Sequence, residues 1–406
     1  MKFPSRAAGP IAALILVATT AVILLARPRP GPTLAEVAAM AEAGRLDAAE
    51  ASLALLLKHE PRDPGANLLA AQVAMGRSEP VTQSGMGSDP APALAALDAL
   101  GRVETRDPRL AALASLWRGK AARYLGRLEE AEAAWLEALR LDPTVPEAGW
   151  LLLQEYYLQG RSEEAQALAL RLHQGEPDGR DRVLLLLEPL RQELMPPAPA
   201  SLVLWFEPIA GRSPAGLRAN IALGLALVRS SEAERGIALL RKVAEAHPGR
   251  REAWDALLTG LDEAEELEEL AKGLDSLPAK DSQAPWTLKF RGRVAEDRGD
   301  LVAAAVAYRR AIEGSAANSR LEYRLARALR RMGERAEADR LDARHQAREA
   351  FRVEGRALYE RAIAEASSGR FPDPELSEKL ALLREKMGFP EQARAWRRLA
   401  GARPPA

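Results

Sequence analysis

No cysteine occurs anywhere in the 406 residues. That excludes disulfides, thiolate metal sites, iron–sulfur clusters and cysteine nucleophiles, and it leaves the redox compartment open. Aromatic residues make up only 5% of the chain although 47% is hydrophobic, so most of the apolar content is Ala and Leu. Such a mixture suits close helix–helix packing, because Ala is the best helix former and lets backbones approach. β-branched residues are sparse and rarely alternate with polar ones, so strands have little support and the composition reads as all-α. Charge of one sign is also lacking: Lys+Arg and Asp+Glu both number 57. A chain without excess cation gains no global attraction to nucleic acid or to an anionic membrane surface. No GxxxxGK[ST], GxGxxG or HExxH pattern is present, and the serines have no histidine beside them. The sequence therefore predicts no enzyme, no cofactor, no metal site, no small-molecule substrate and no nucleic-acid partner.

What is present begins with an apolar run. Lys2 and Arg6 precede an uncharged stretch from Ala7 to Ala26, with its apolar heart at Ile11–Leu25. A bilayer-spanning helix needs roughly 20 apolar residues, so the run just suffices. A cleaved secretory signal is the competing reading. Its h-region would be unusually long, and Arg27-Pro28-Arg29-Pro30 is a poor cleavage context. The expectation is a short basic tail over 1–8, a transmembrane signal-anchor helix over 9–26 and a Pro-rich spacer over 27–32. Cations flank both ends, which nearly balances the positive-inside rule. The short basic tail favours a single-pass protein whose bulk lies outside the cytoplasm, on the periplasmic side.

From 33 to 403 the sequence repeats a helix–turn–helix pattern with a period of 34 residues. The clearest copies share three landmarks: Gly126, Ala131 and Pro143 in one, Gly160, Ala165 and Pro177 in the next. Gly44, Ala49 and Pro61 mark an earlier copy, Leu223, Gly224 and Pro248 another. Gly299, Ala304, Tyr308 and Ala311 are followed in register by Gly333 and Ala338, and Gly388, Ala393 and Pro405 mark the last. A small residue is needed where paired helices cross, Gly accepts φ > 0 in the tight turn, and Pro cannot continue a helix. Clear repeats span 33–63, 112–145, 146–179, 217–250, 285–318, 319–350 and 374–403. Irregular stretches span 64–111, split by the Gly/Ser/Pro-rich loop 77–92, then 180–216 with its PPAPA at 196–200, and 251–284, which lacks the turn glycine.

These landmarks resemble the consensus of the tetratricopeptide-repeat (TPR) family. The resemblance covers nearly everything after residue 33. It implies a right-handed α-solenoid of helical hairpins, here preceded by one transmembrane helix, with an open groove lined by the first helix of each repeat. It also implies protein or peptide partners and a scaffold role, such as assembly of an envelope complex. The alternative is a regulatory subunit whose catalytic chain is separate. Some membrane TPR proteins carry a cysteine-based metal tail; with no cysteine, this chain lies outside that subgroup.

The repeat phase assigns candidate groove residues. Lys289 and Arg293 on one first helix, with Arg320, Tyr323, Arg324, Arg327 and Arg331 on the next, fall on roughly one helical face. Guanidinium forks bind carboxylates bidentately, so acidic peptide segments are the expected ligands. Lys289, Arg293, Arg320 and Arg324 loosely resemble the carboxylate clamp of chaperone-binding TPR domains, but its asparagines are missing. The bland reading is that these arginines pair with Glu296, Asp297, Glu322 and Glu334, or are simply hydrated. A second candidate surface holds Trp117, Tyr124, Trp150, Tyr156 and Tyr157, with Trp150 and Tyr157 as peptide contacts and the rest as packing. The four histidines, His59, His173, His247 and His345, are placed at or near ends of second helices, where a cation is favoured. The acidic run Asp262–Glu269 reads as a solvated helix face.

Overall fold

The computed structural model describes residues 32–78, 89–175, 180–214, 216–282, 284–313 and 319–401. The expected anchor and nearly all of the Pro-rich spacer lie outside these residues, as does most of the 77–92 loop. Among the described residues every regular element is helical, and no helix is long and apolar enough to cross a membrane. The chain divides into two compact units, ending and beginning at Leu152 and Leu153.

Unit 1 holds α1 (Leu34–Glu42), α2 (Leu46–His59), α3 (Pro64–Gly76), α4 (Ala91–Gly101), α5 (Pro108–Tyr124), α6 (Leu128–Leu141) and the start of α7 (Pro146–Leu158). Helix starts follow from local chemistry. Thr33 and Glu36 form a reciprocal capping box on α1. Asp63 and Asp107 cap α3 and α5 with Pro at the first helical positions, where a missing N–H does no harm. Consecutive helices pack as hairpins. In the α5–α6 pair, fully buried Trp135 lies against Gly119, where any Cβ would strike the indole. Its Nε1 donates to the Leu116 carbonyl at 3.2 Å.

Unit 2 continues through α8 (Ser162–Gly175), α9 (Arg180–Leu194), α10 (Pro199–Arg212), α11 (Leu217–Arg229), α12 (Ala233–Ala246), α13 (Arg251–Glu263) and α14 (Leu267–Asp275). A 3-10 turn (Pro285–Thr287) leads into α15 (Leu288–Asp297), α16 (Leu301–Glu313), α17 (Ser319–Met332), α18 (Arg335–Ser367), α19 (Pro374–Lys386) and α20 (Pro390–Gly401). First helices α11, α13 and α15 also touch one another in series. The small-against-large crossing recurs: a Cβ on Gly292 would lie 2.6 Å from the Tyr308 ring, and one on Gly224 would lie 2.6 Å from Leu240.

Glycines 44, 126, 160, 299, 333 and 388 all adopt φ between +71° and +90°, the left-handed turn that closes a hairpin. Among the described residues, two hairpins make the same turn without glycine. Ser231 (φ +71°) and Glu265 (φ +61°) occupy it, at a steric cost of roughly 1–2 kcal/mol for an L side chain.

One feature departs from an array in which each hairpin touches only its neighbours. Helices α18 and α20 pack onto α9, far back in the chain. Val183, Leu186, Leu187 and Leu190 of α9 share one core with Tyr359, Ala362, Leu380, Leu383 and Trp396. Fully buried Arg384 makes two hydrogen bonds to Glu193, at 2.9 and 3.0 Å, and a third to Gln392 at 2.7 Å. The physical cause lies in α9, whose apolar face the irregular 180–216 stretch leaves for the C-terminal hairpin to cover.

Candidate protein-interaction face

Of the arginines singled out by repeat phase, Arg293, Arg320, Arg324 and Arg327 are brought to carboxylates within unit 2, whereas Arg331 is not. Asp262, at the end of α13, is the hub. Arg324 of α17 grips it bidentately at 2.8 and 2.9 Å. Arg293 of α15 approaches it to 3.4 Å and Arg320 to 3.8 Å. The Asp262 and Arg324 side chains are only 9% and 11% exposed, so this pair is shielded from water and salt. Neighbouring Glu263 accepts from Arg229 at 2.7 and 3.0 Å and from Arg320 at 3.4 Å. Buried Glu296 accepts from Arg327 Nε at 2.8 Å and from the Tyr308 hydroxyl at 2.9 Å. Lys289 pairs with Asp255 at 2.9 Å.

Five arginines thus close on three carboxylates, Asp262, Glu263 and Glu296, leaving a surplus of cation. The arrangement is graded. Arg293 and Arg324 are largely buried, whereas Arg229, Arg320 and Arg327 keep about half of their side chains exposed. Tyr323 is half-exposed between them in sequence and packs its ring 5.8 Å from that of His345. Arg331 is exposed at the end of α17 and makes no ion pair among the described residues. Arg330 pairs with Asp342.

Trp150 and Tyr157 are not part of this cluster. Trp150 is half-buried in unit 1. Tyr157 belongs to unit 2 and is 6% exposed, and its hydroxyl is sealed without a hydrogen-bond partner. Burial first, then Glu188 and Glu193, push its pKa far upward, so it stays a neutral phenol. Tyr124 and Tyr156 are buried as well. In unit 1, Lys120 lies over the Trp117 ring at 3.9 Å and pairs with Glu147 at 2.6 Å. Burial lowers the Lys120 pKa and Glu147 opposes that shift.

Three details differ from the sequence reading. Asp262–Glu269 is not one solvated face: the run crosses the end of α13 and the turn at Glu265, so its first member is buried and the middle is exposed. His345 sits inside the long α18 rather than at a helix end. His173 is not a capping cation; it is 1% exposed, with Nδ1 2.9 Å from the Arg182 carbonyl, and burial foremost lowers its pKa. Sequence reasoning also missed Arg229 and the hub role of Asp262. The signal available was register: Asp262 and Glu296 hold equivalent repeat positions, each beside arginines. Among the described residues no group of three or more acidic or histidine side chains is placed to hold a metal ion.

Serial helical hairpins joined by left-handed turns, with polar pairing between first helices, define a helical-repeat protein. Residues 112–145, the α5–α6 hairpin, match the family model described as tetratricopeptide repeat. A curated relative, cellulose synthase operon protein C of Pseudomonas fluorescens, is 32% identical over 124 residues. That match covers 29% of this chain and only 10% of the relative's length. Among solved structures, the Cut9-Hcn1 hetero-tetramer of the APC/C is 16% identical, covering 91% of this chain and 87% of that one, with a TM-score of 0.32. A tetratricopeptide repeat protein from Parabacteroides merdae is 13% identical, covering 79% and 99%, with a TM-score of 0.31.

Proposed function

We propose that this chain is a membrane-tethered scaffold that binds another protein through its helical array, with an acidic segment of the partner lying on the α15–α17 face. The observation that carries the reading is the surplus of arginine there, with Arg320, Tyr323, Arg327 and Arg331 open to an incoming chain. Exposed guanidiniums beside a half-exposed aromatic ring suit carboxylate-bearing peptide, which Arg binds in a planar fork. Buried Arg293 and Arg324, with Lys289, hold that face in shape. Half-buried Trp150 offers a further contact on unit 1. The tether is the apolar run over 9–26, which orients the array on the periplasmic side.

The relative's name favours one form of the same reading, in which the partner belongs to a synthase complex and this chain is its accessory or regulatory arm. The test is recovery of partners with the full chain from detergent-solubilised native membranes. Arg320→Glu with Arg327→Glu should reduce that recovery about ten-fold or more. Unchanged recovery would reject the acidic-segment reading.

A further inference from the structure

We infer that the irregular stretch 180–216 builds a separate recognition pocket that takes an uncharged aliphatic or prolyl side chain from an extended partner polypeptide. The inference rests on the scaffold reading and adds a partner chemistry that the arginine face does not supply.

The pocket lies wholly within unit 2 and has a volume of about 330 Å³. That is the lower end of the roughly 300–1,000 Å³ typical of ligand sites, so it suits a small group. Its origin is in the sequence. The PPAPA stretch ends α9 and starts α10, and prolines lack the N–H needed to continue a helix. Pro196 and Pro197 therefore wall an opening that Leu202 of α10 and Leu225 of α11 also line. Gly160, fixed in its left-handed turn between α7 and α8, forms another edge.

The charges on the lining are already matched. Glu193 is held bidentately by Arg384, and Arg229 is held bidentately by Glu263. A charged guest would meet no free counter-ion and would lose its hydration, so a neutral one is favoured. Three glutamines, Gln159, Gln166 and Gln192, complete the wall. Gln166 donates its amide to Glu193 at 3.2 Å and Gln192 donates to Glu188 at 2.9 Å. One N–H of each of these two amides is committed, and the side-chain carbonyl oxygens of Gln166 and Gln192 are the acceptors that face backbone N–H groups of an extended chain. Apolar wall plus amide acceptors is the complement of a peptide carrying one aliphatic or prolyl residue. Arg229 also joins the pocket to the arginine face through Glu263, so a single partner segment can engage both.

The test selects random dodecapeptides by display on the full chain in detergent, then measures binding of the recovered peptides by fluorescence anisotropy. Recovered peptides should share an aliphatic or prolyl residue, and replacing it with Asp should weaken binding at least about ten-fold. Leu202→Trp, which fills the pocket, should weaken binding to a similar degree, and Gln166→Ala should weaken it several-fold. Val302→Ala, at an exposed position on α16 away from the lining, should leave affinity unchanged. Thermal melting of each variant separates pocket loss from unfolding, and Gln166→Ala carries the test should Leu202→Trp fail to fold. Equal binding to wild type and both pocket variants overturns the pocket while leaving the scaffold reading intact. Peptides with a conserved charge in place of the apolar residue overturn it too. Recovery of no binding peptide overturns the pocket, and the charge-reversal experiment then decides the scaffold reading independently.

Discussion

Replacing Asp262 with Ala removes the one carboxylate that Arg324 and Arg293 share. Both guanidiniums stay where the helices put them, since each is about nine-tenths covered. Two cations would then face each other with little water between them. Removing one partner of a buried pair costs about 3–5 kcal/mol, because the other charge is left uncompensated. For a unit of this size, at about 2–4 °C per kcal/mol, the melting temperature should fall by about 6–20 °C. Arg320→Ala is the control: that side chain is half-exposed, so its loss should stay within about 1 kcal/mol. Adding Arg324→Met to Asp262→Ala should recover part of the loss, as the stranded charge goes with it. Far-ultraviolet circular dichroism during heating reads all four proteins. Equal melting of Asp262→Ala and Arg320→Ala would refute the claim that the hub is buried and structural.

Three further outcomes follow from the packing. Gly292→Ala would press a methyl against Tyr308 and disturb its bond to Glu296; overpacking predicts a loss of about 1–3 kcal/mol by chemical denaturation. Glu265→Gly relieves a left-handed side chain and should gain up to about 1 kcal/mol after the added chain entropy is subtracted, whereas Gly299→Glu should lose stability in the same assay. Burial holds His173 neutral by lowering its folded pKa, so the unfolded chain binds that proton more readily. Its contribution is complete above about pH 6.5 and is lost as pH falls below it. His173→Asn should flatten the dependence of the urea midpoint between about pH 7.5 and pH 5.5.

How far the sequence reveals this architecture depends on whether a feature repeats. Gly126 and Gly160 could be read as turns because glycine at a fixed register has one main use, and both have positive φ. Ser231 and Glu265 make the same turn in the same register, but nothing in a serine or a glutamate announces it. Closure of α18–α20 onto α9 leaves no periodic trace at all, since it pairs Glu193 with Arg384 across nearly half the chain. At the candidate face, helical spacing groups Arg320, Arg324 and Arg327 on α17, and each reaches a carboxylate of an earlier helix. Spacing could not show that Arg324 reaches past α15 to Asp262 on α13, because that depends on how closely the first helices approach. The acidic run hid the hub for a similar reason: a helix end falls within it, so neighbours in sequence face different surroundings.

Site-specific photocrosslinking in native membranes tests the central claim most directly. A benzophenone amino acid at Tyr323, on the arginine face, is compared with one at Val302, an exposed position on α16. The scaffold account predicts one reproducible polypeptide adduct at Tyr323 that Val302 does not give. No adduct at Tyr323, or the same adducts at both positions, would contradict it.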